Sequence, residues 1–364
     1  VSLRHRGHRA AGASGGRASV VVRTRWASGR IDVRLGAVSG ALGVLAVVVA
    51  VLALGVGDYP LAPARVLGAL AGSGTGFERT VVVEWRLPVA LAAVAFGALL
   101  GLGGAVFQSL TRNPLGSPDV IGFDAGAYTA VVVTVLVVGS TGYWATAAAA
   151  LAGGLATAGV VYLLAHRGGL AGFRLVVVGI GVSAVLGSVN GYLVTRADVE
   201  DALTVGFWGA GSLSRLTWAS VLPALALAAC VALACAALVP AMRRLELGDD
   251  VAVALGTRVG RARLGLLVVG VASTALVTAA AGPIGFVALA APQVARRLTR
   301  SPGVSPLSAA ATGAALLSCA HLASLGTAQV FRPVPVGLIT VCLGGTYMIA
   351  LLVRETHRRG GALW

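Results

Sequence analysis

Apolar residues gather into ten runs along this chain, at 38–56, 87–109, 120–139, 144–165, 175–195, 218–239, 264–281, 284–298, 305–326 and 335–353. Short polar or Gly/Pro-rich stretches separate them. Most runs reach the ~20 residues a helix needs to cross ~30 Å of hydrocarbon. Backbone groups in lipid must pair within their own segment, and runs this long and uniformly apolar suit helices rather than barrel strands. The first run is too long for a signal-peptide core, so it is read as a membrane helix. The pattern predicts an all-α polytopic membrane protein with ten transmembrane helices.

The boundary between the seventh and eighth runs rests on Ala281-Gly282-Pro283-Ile284-Gly285, where Pro removes a donor and Gly permits a turn. Charge counting supports the break. With ten spans and the N-terminus inside, 22 of the 28 Arg fall on the inner side; merging the two runs lowers that to 17. The positive-inside bias favours ten. The eighth helix is then short, about 22 Å at ~1.5 Å per residue, and short Gly/Pro-broken segments in transporters often mark the transport route. Small residues four apart, Gly97/Gly101, Gly122/Gly126 and Gly187/Gly191, would let helices approach closely.

Composition agrees with the pattern. Apolar residues are 57% and Gly adds 51 more, while charged residues are only 11%; soluble domains hold roughly 25% charged. Soluble globular, disordered and collagen-like classes fit poorly. The net charge of +15 comes entirely from Arg, since there is no Lys. Those Arg sit between apolar runs, as topology demands, so nucleic-acid binding is not expected. Residues 1–34, with eight Arg, read as a disordered cytosolic tail, 35–357 as the ten-helix domain, and 358–364 as a cytosolic C-terminal tail. The four Cys lie in apolar stretches without C-x-x-C spacing and read as small buried hydrophobes.

Three polar segments stand out. Arg112-Asn113-Pro114-Leu115-Gly116-Ser117-Pro118 predicts a stiff inner turn. The inner loop 242–263 holds Leu245-Glu246-Leu247-Gly248-Asp249-Asp250-Val251-Ala252-Val253-Ala254-Leu255-Gly256. Gly248 and Gly256 bracket a short helix, acidic residues suit its N-terminal end, and Val251, Ala254 and Leu255 share a face. Such a helix could dock a partner or lie on lipid. The outer loop 196–217, with Asp198, Glu200, Asp201 and Arg215, is long enough for a helix or docking ledge.

Ionisable residues within spans are rare: Asp124 near the inner end of the third, where it could face an aqueous vestibule or cap its helix, and His321 in the ninth, read as a satisfied bundle residue. No metal site is expected, because His321 has no neighbouring ligand in sequence. A Walker A loop requires Lys, so this chain cannot carry one. H-E-x-x-H is absent too, G-x-S-x-G occurs only as Gly12-Ala13-Ser14-Gly15-Gly16 in the Arg-rich tail, outside any apolar run, and no catalytic residue is assigned. Two readings remain open at this point: a permease driven by ATP bound to another subunit, and a self-contained secondary transporter of small solutes.

Several motifs, in order, carry a resemblance. They are Arg86-Leu87-Pro88; Gly104-Ala105-Val106-Phe107-Gln108-Ser109-Leu110; Arg112-Asn113-Pro114-Leu115; and Trp208-Gly209-Ala210-Gly211-Ser212-Leu213-Ser214. Leu247-Gly248-Asp249-Asp250-Val251-Ala252, Ala281-Gly282-Pro283-Ile284-Gly285-Phe286-Val287 with Pro292, and Pro335-Val336-Gly337-Leu338-Ile339-Thr340 follow. Together they span roughly 38–355, and the chain resembles the permease subunits of iron-siderophore, haem and vitamin B12 ABC importers.

That resemblance implies the type II ABC importer permease fold in a bacterial cell membrane, with both termini cytosolic. It also implies a second permease, identical or paralogous, two cytosolic ATPases that hold ATP and Mg, and an extracytoplasmic binding protein. No cofactor is expected in this chain itself. Leu245 and Leu247 to Gly256 would dock the ATPase, through Leu247, Gly248, Asp249, Asp250, Val251, Ala254, Leu255 and Gly256. Asn113, Pro114 and Leu115 would form the inner gate. Arg86 and Arg332 would face the binding protein. The route would run between the permeases along Ser183, Ser188 and Asn190 and along Gly282, Pro283, Gly285 and Phe286, with weak polar walls. The sequence departs from its relatives at Val89, where many have a second Arg, at Gln293, often His, and at His321 and Leu325, where an Asp and an Arg are common. Asp124 replaces a small polar residue. The expected cargo is a ferric siderophore or similar bulky chelate.

Overall fold

A computed structural model describes residues 19–23, 28–165 and 172–360. Within the stretch expected to be a disordered tail, β1 (Ser19–Arg23) and β2 (Ser28–Asp32) pair antiparallel, Ser19 opposite Asp32. The β-branched Val20-Val21-Val22 suits a strand. Residues 1–18 and 24–27 lie outside the described chain. The helices are α1 (Val33–Ala53), α2 (Pro63–Leu70), α3 (Gly76–Arg79), α4 (Leu87–Thr111), α5 (Phe123–Leu136), α6 (Tyr143–Ala165) and α7 (Gly172–Arg196). Then come α8 (Val199–Gly209), α9 (Trp218–Glu246), α10 (Asp249–Ala254), α11 (Val259–Ala281), α12 (Val287–Thr299), α13 (Pro306–Val330) and α14 (Val336–Gly360). Seven helical stretches are long and apolar enough to cross a membrane, and α5 and α14 add shorter apolar helices. With the 13-residue α12, these account for the ten expected spans among the described residues.

The layering follows burial. The α3–α4 stretch is 67% buried, α11 61% and α13 50%, against 17–22% for α1, α6, α7 and α9. The first group is therefore the centre and the second a shell that turns apolar side chains outward, as lipid permits. Glycines set the spacing at the centre. Gly97 and Gly101 of α4 abut the backbone of Gly313 and Ala309 on α13, and Gly104 abuts Ala288 on α12. A methyl group at any of the three would overlap a carbonyl oxygen. Gly126 likewise meets Gly153 and Thr157 of α6. Gly187 and Gly191 do not follow the expectation: both face open space on α7.

Two spans differ from the hydropathy pattern. The third run is not helical from 120. A 3-10 turn (Pro118–Ile121) and Gly122 at φ 85° delay α5 to Phe123, leaving 14 residues, about 21 Å. Gly116, Ser117, Pro118 and Gly122 are buried, so this stretch is non-helical backbone enclosed by protein. Gly122 abuts Ser183, midway along α7. The chain thus climbs well into the bundle before α5 begins. The other difference is a π-helical stretch (Thr80–Arg86) leading into α4. In that register the N–H of residue 88 would reach Val83 O, but residue 88 is Pro. The Trp218 indole N–H donates to Val83 O instead, at 2.9 Å, joining α9 to this turn.

Candidate functional site

At one end of the bundle, α9 runs on to Glu246 and the chain turns into α10. Gly248 at φ 111° opens that helix and Gly256 at φ 76° closes it. Thr257 N donates to Ala252 O and Gly256 N to Val253 O, both at 2.9 Å. This is the paired closure that needs a left-handed residue just past the helix. Arg244 also reaches the Thr257 hydroxyl, at 3.4 Å. The bracketed helix expected from the sequence is therefore present. Leu247, Val251, Val253 and Leu255 lie between 45% and 64% exposed. Ala254 and Asp250 are exposed as well. Leu245 is not on this face: it is buried with Val106, Met242 and Leu266, because it still belongs to α9's inward stripe.

Asp249 has a use the sequence did not reveal. Its carboxylate accepts from Arg112 Nη2 at 2.8 Å and from Arg263 Nη2 at 2.9 Å. The same Arg112 nitrogen donates to Leu245 O at 3.0 Å. Arg112 sits in the left-handed region, φ 50°, where helix ends ordinarily place Gly. That turn aims its side chain at α10. Ser109 Oγ, one turn earlier, donates to Glu246 Oε1 at 3.0 Å. So α10 is fastened to the end of α4 through Arg112 and to α11 through Arg263.

That loop holds the expected gate residues. Asn113 Oδ1 accepts from Leu115 N at 2.9 Å, a side-chain turn that stiffens the segment. Pro114 O accepts from Gln293 Nε2 at 2.8 Å, and Gln108 Nε2 donates to Leu289 O at 3.0 Å. Both bonds tie the loop and α4 to α12. Leu115 remains 45% exposed. Deeper in, the Thr278 hydroxyl donates to Asp124 Oδ1 at 2.9 Å, so Asp124 is tied to α11. Asp119 lies close by, its Oδ1 enclosed without a hydrogen-bond partner. Sequence reading passed over Asp119 because it precedes the apolar run.

At the opposite end, three motifs far apart in sequence meet. Ser212 N donates to Ala281 O at 2.7 Å and Gly337 N to Gly211 O at 3.0 Å. Gly211 abuts Pro283, Gly282 abuts Trp208, and Gly337 abuts Ala210. Gly211 and Gly282 also need positive φ, 69° and 75°. Phe286 takes φ 67° without being Gly, a strained start to α12. Gly285 stays uncrowded, near only Val341. Arg86 lies at this end, but its guanidinium donates to Leu54 O and Tyr59 O, both at 2.8 Å, and so pins the 54–59 loop. Arg332 is exposed.

The α7 residues divide. Ser183 and Asn190 are seven apart and share a face; Ser183 meets Gly122, and Asn190, 5% exposed, lines a cleft with Ala125 and Tyr128 of α5. Ser188 is exposed on another face, its hydroxyl turned back to Ala184 O. One route wall cannot include all three, since five residues place Ser188 ~140° around the helix from Ser183. Among the described residues no group of three or more His, Cys, Asp and Glu is placed to hold a metal.

A model of the FecCD transport family matches residues 45–354, most of the chain. The chain belongs to the FecCD transport family. It is 46% identical over 315 residues to the ferric enterobactin transport system permease protein FepG of Escherichia coli (strain K12), covering 86% of this chain and 94% of that one. It is 36% identical over 345 residues to FepD, another permease protein of the ferric enterobactin transport system in the same organism, covering 92% and 100%. A solved structure, described as an inward-facing conformation of a metal-chelate type ABC transporter, superposes with a TM-score of 0.75 at 23% identity, over 88% of this chain and 99% of that one. This FecCD chain is a multi-pass transport subunit, a permease of the siderophore, haem and chelate ABC importers. Membership displaces the self-contained secondary carrier.

Proposed function

We propose that this permease is one half of the membrane passage of an ATP-driven importer for a ferric siderophore or similarly bulky metal chelate. The observation that carries this reading is the exposed apolar α10, held by Asp249 between Arg112 and Arg263. A surface of exposed Leu and Val at the Arg-rich end of a membrane protein favours a protein partner. That partner is a cytosolic ATPase, which binds ATP and Mg because this Lys-free chain has no phosphate loop. Two such ATPases act on two permeases. Their closure pushes α10, and Arg112 passes the movement to the 113–115 loop and α4, opening the passage alternately to each side.

Both termini and α10 then lie in the cytosol, and an extracytoplasmic binding protein delivers the chelate to the end bearing α2, α8 and Arg332. FepG and FepD are two permease proteins of one named transport system, and this chain aligns with both. That supports a paralogue, rather than a second copy, as its partner. The passage lies along the exposed face of α7 with Ser188 and beside α12, and the chain does no chemistry on its cargo. Uptake of radio-iron-loaded siderophores by intact cells tests the reading. Deleting the chain should abolish energised uptake, and Leu255→Glu should do the same while the protein still reaches the membrane. Undiminished uptake in the deletion would refute it.

A further inference from the structure

The end opposite α10 contains two cavities lined by residues of this one chain. The larger, about 510 Å³, lies inside one chain among α8, the 210–217 loop, the end of α13 and the 333–336 connection. The smaller, about 290 Å³, lies beneath Arg86 and Phe77. His321 lines both and so forms part of the partition. It is 8% exposed, and its imidazole makes no hydrogen bond or ion pair among the described residues. Buried polar groups almost always have a partner. The imidazole faces open cavity volume and is not sealed in, so it is free to hydrogen-bond to an occupant.

The walls define the chemistry of that occupant. Arg215 and Arg332 line the larger cavity, and among the described residues neither is ion-paired and no Asp or Glu lines it. Phe207 and Trp208 give it aromatic walls, Trp208 being stacked on Tyr128 with ring centroids 6.3 Å apart. Its volume falls within the roughly 300–1,000 Å³ of small-molecule sites, which join apolar walls to a few convergent polar groups. Planar guanidinium forks match carboxylates and similar anions and also stack on rings.

We propose that this cavity binds an organic anion with an aromatic body. Arg215 and Arg332 take the charge, Phe207 and Trp208 take the ring, and His321 takes a polar substituent at the cavity floor. The anion comes either from an arm of the imported chelate or from a free aryl acid outside the cell. The choice of source rests on the import reading; the binding itself does not.

The test uses the full chain, in its assembled complex, in lipid nanodiscs. The probes are 1-naphthoate and its neutral amide, titrated calorimetrically. Naphthoate should bind at one site per chain, about tenfold or more tighter than the amide. Arg215→Gln with Arg332→Gln should weaken the acid about tenfold or more and leave the amide nearly unchanged. Ala328→Trp fills the cavity without altering charge, and it should abolish binding of both probes. Equal binding of acid and amide, or unchanged acid binding in the double Gln variant at normal membrane yield, would overturn the proposal. Uptake assays separate the sources. Competitive slowing of chelate uptake by naphthoate identifies an arm of the cargo; unaffected uptake with binding retained identifies a free aryl acid. Uptake failing in the parent protein would sink the import reading and leave the binding data standing.

Discussion

Replacing Arg112 with Gly separates what holds this protein together from what makes it move. Arg112 occupies a left-handed conformation at φ 50°, which costs a side-chain-bearing residue roughly 1–2 kcal/mol and Gly almost nothing. Against that relief stands the loss of its bonds to Asp249 and Leu245 O. Arg112 and Asp249 are about half exposed, 51% and 43%, and ion pairs of that kind contribute only ~0.2–1 kcal/mol. The bond to Leu245 O adds about 1 kcal/mol. These terms nearly cancel, so Arg112→Gly should melt within about 3 °C of the parent. The link from α10 to the 113–115 loop is nevertheless cut on that side. Chelate uptake should fall at least tenfold while the membrane level stays normal. Asp249→Asn should lower uptake at least as far, because it also loses the pair with Arg263, and adding Arg112→Gly to it should do little further harm, since the Arg112–Asp249 link is already gone. Near-normal uptake by a stable Arg112→Gly protein would refute the coupling argument, and so would strictly additive losses in the double variant.

Three further outcomes follow from packing. Gly104→Ala places a methyl group on the backbone of Ala288, which has no flexible end to give way; it should destabilise by about 1–3 kcal/mol or more, read as a lower melting temperature in detergent. Gly43→Ala, on α1 with nothing within 4 Å, should be neutral or slightly stabilising, and equal damage at both sites would refute the glycine-seam argument. Thr278→Val removes the donor to Asp124 Oδ1 and should cost about 1–3 kcal/mol; an unchanged melt would show that bond to be dispensable.

Sequence made the spans legible because lipid imposes one requirement, a helix-long apolar run, that needs no knowledge of neighbours. The α10 turn was legible for a related local reason: Gly248 and Gly256 alone permit its entry and exit angles. Whatever depended on distant partners was hidden. Arg86 read as a free rim charge, but carbonyls at Leu54 and Tyr59 absorb it. Asp249 read as a helix-dipole residue, whereas its main partners are Arg112 and Arg263. Motifs at 208–212, 281–283 and 337 gave no sign of converging, because their contacts are backbone against glycine. The delayed start of α5 was missed since hydropathy does not register Pro118 and Gly122 as breaks. Helical period, applied to Ser183, Ser188 and Asn190, would have separated them in advance.

The central claim, that α10 meets a cytosolic ATPase, is tested most directly by placing a photoactivatable amino acid at Val253, which is 62% exposed on that helix. Illumination of intact cells should yield one major adduct, identified by mass spectrometry as an ATP-binding-cassette subunit, and ATP should change its yield. An adduct only with lipid, or with an extracytoplasmic protein, would contradict the account.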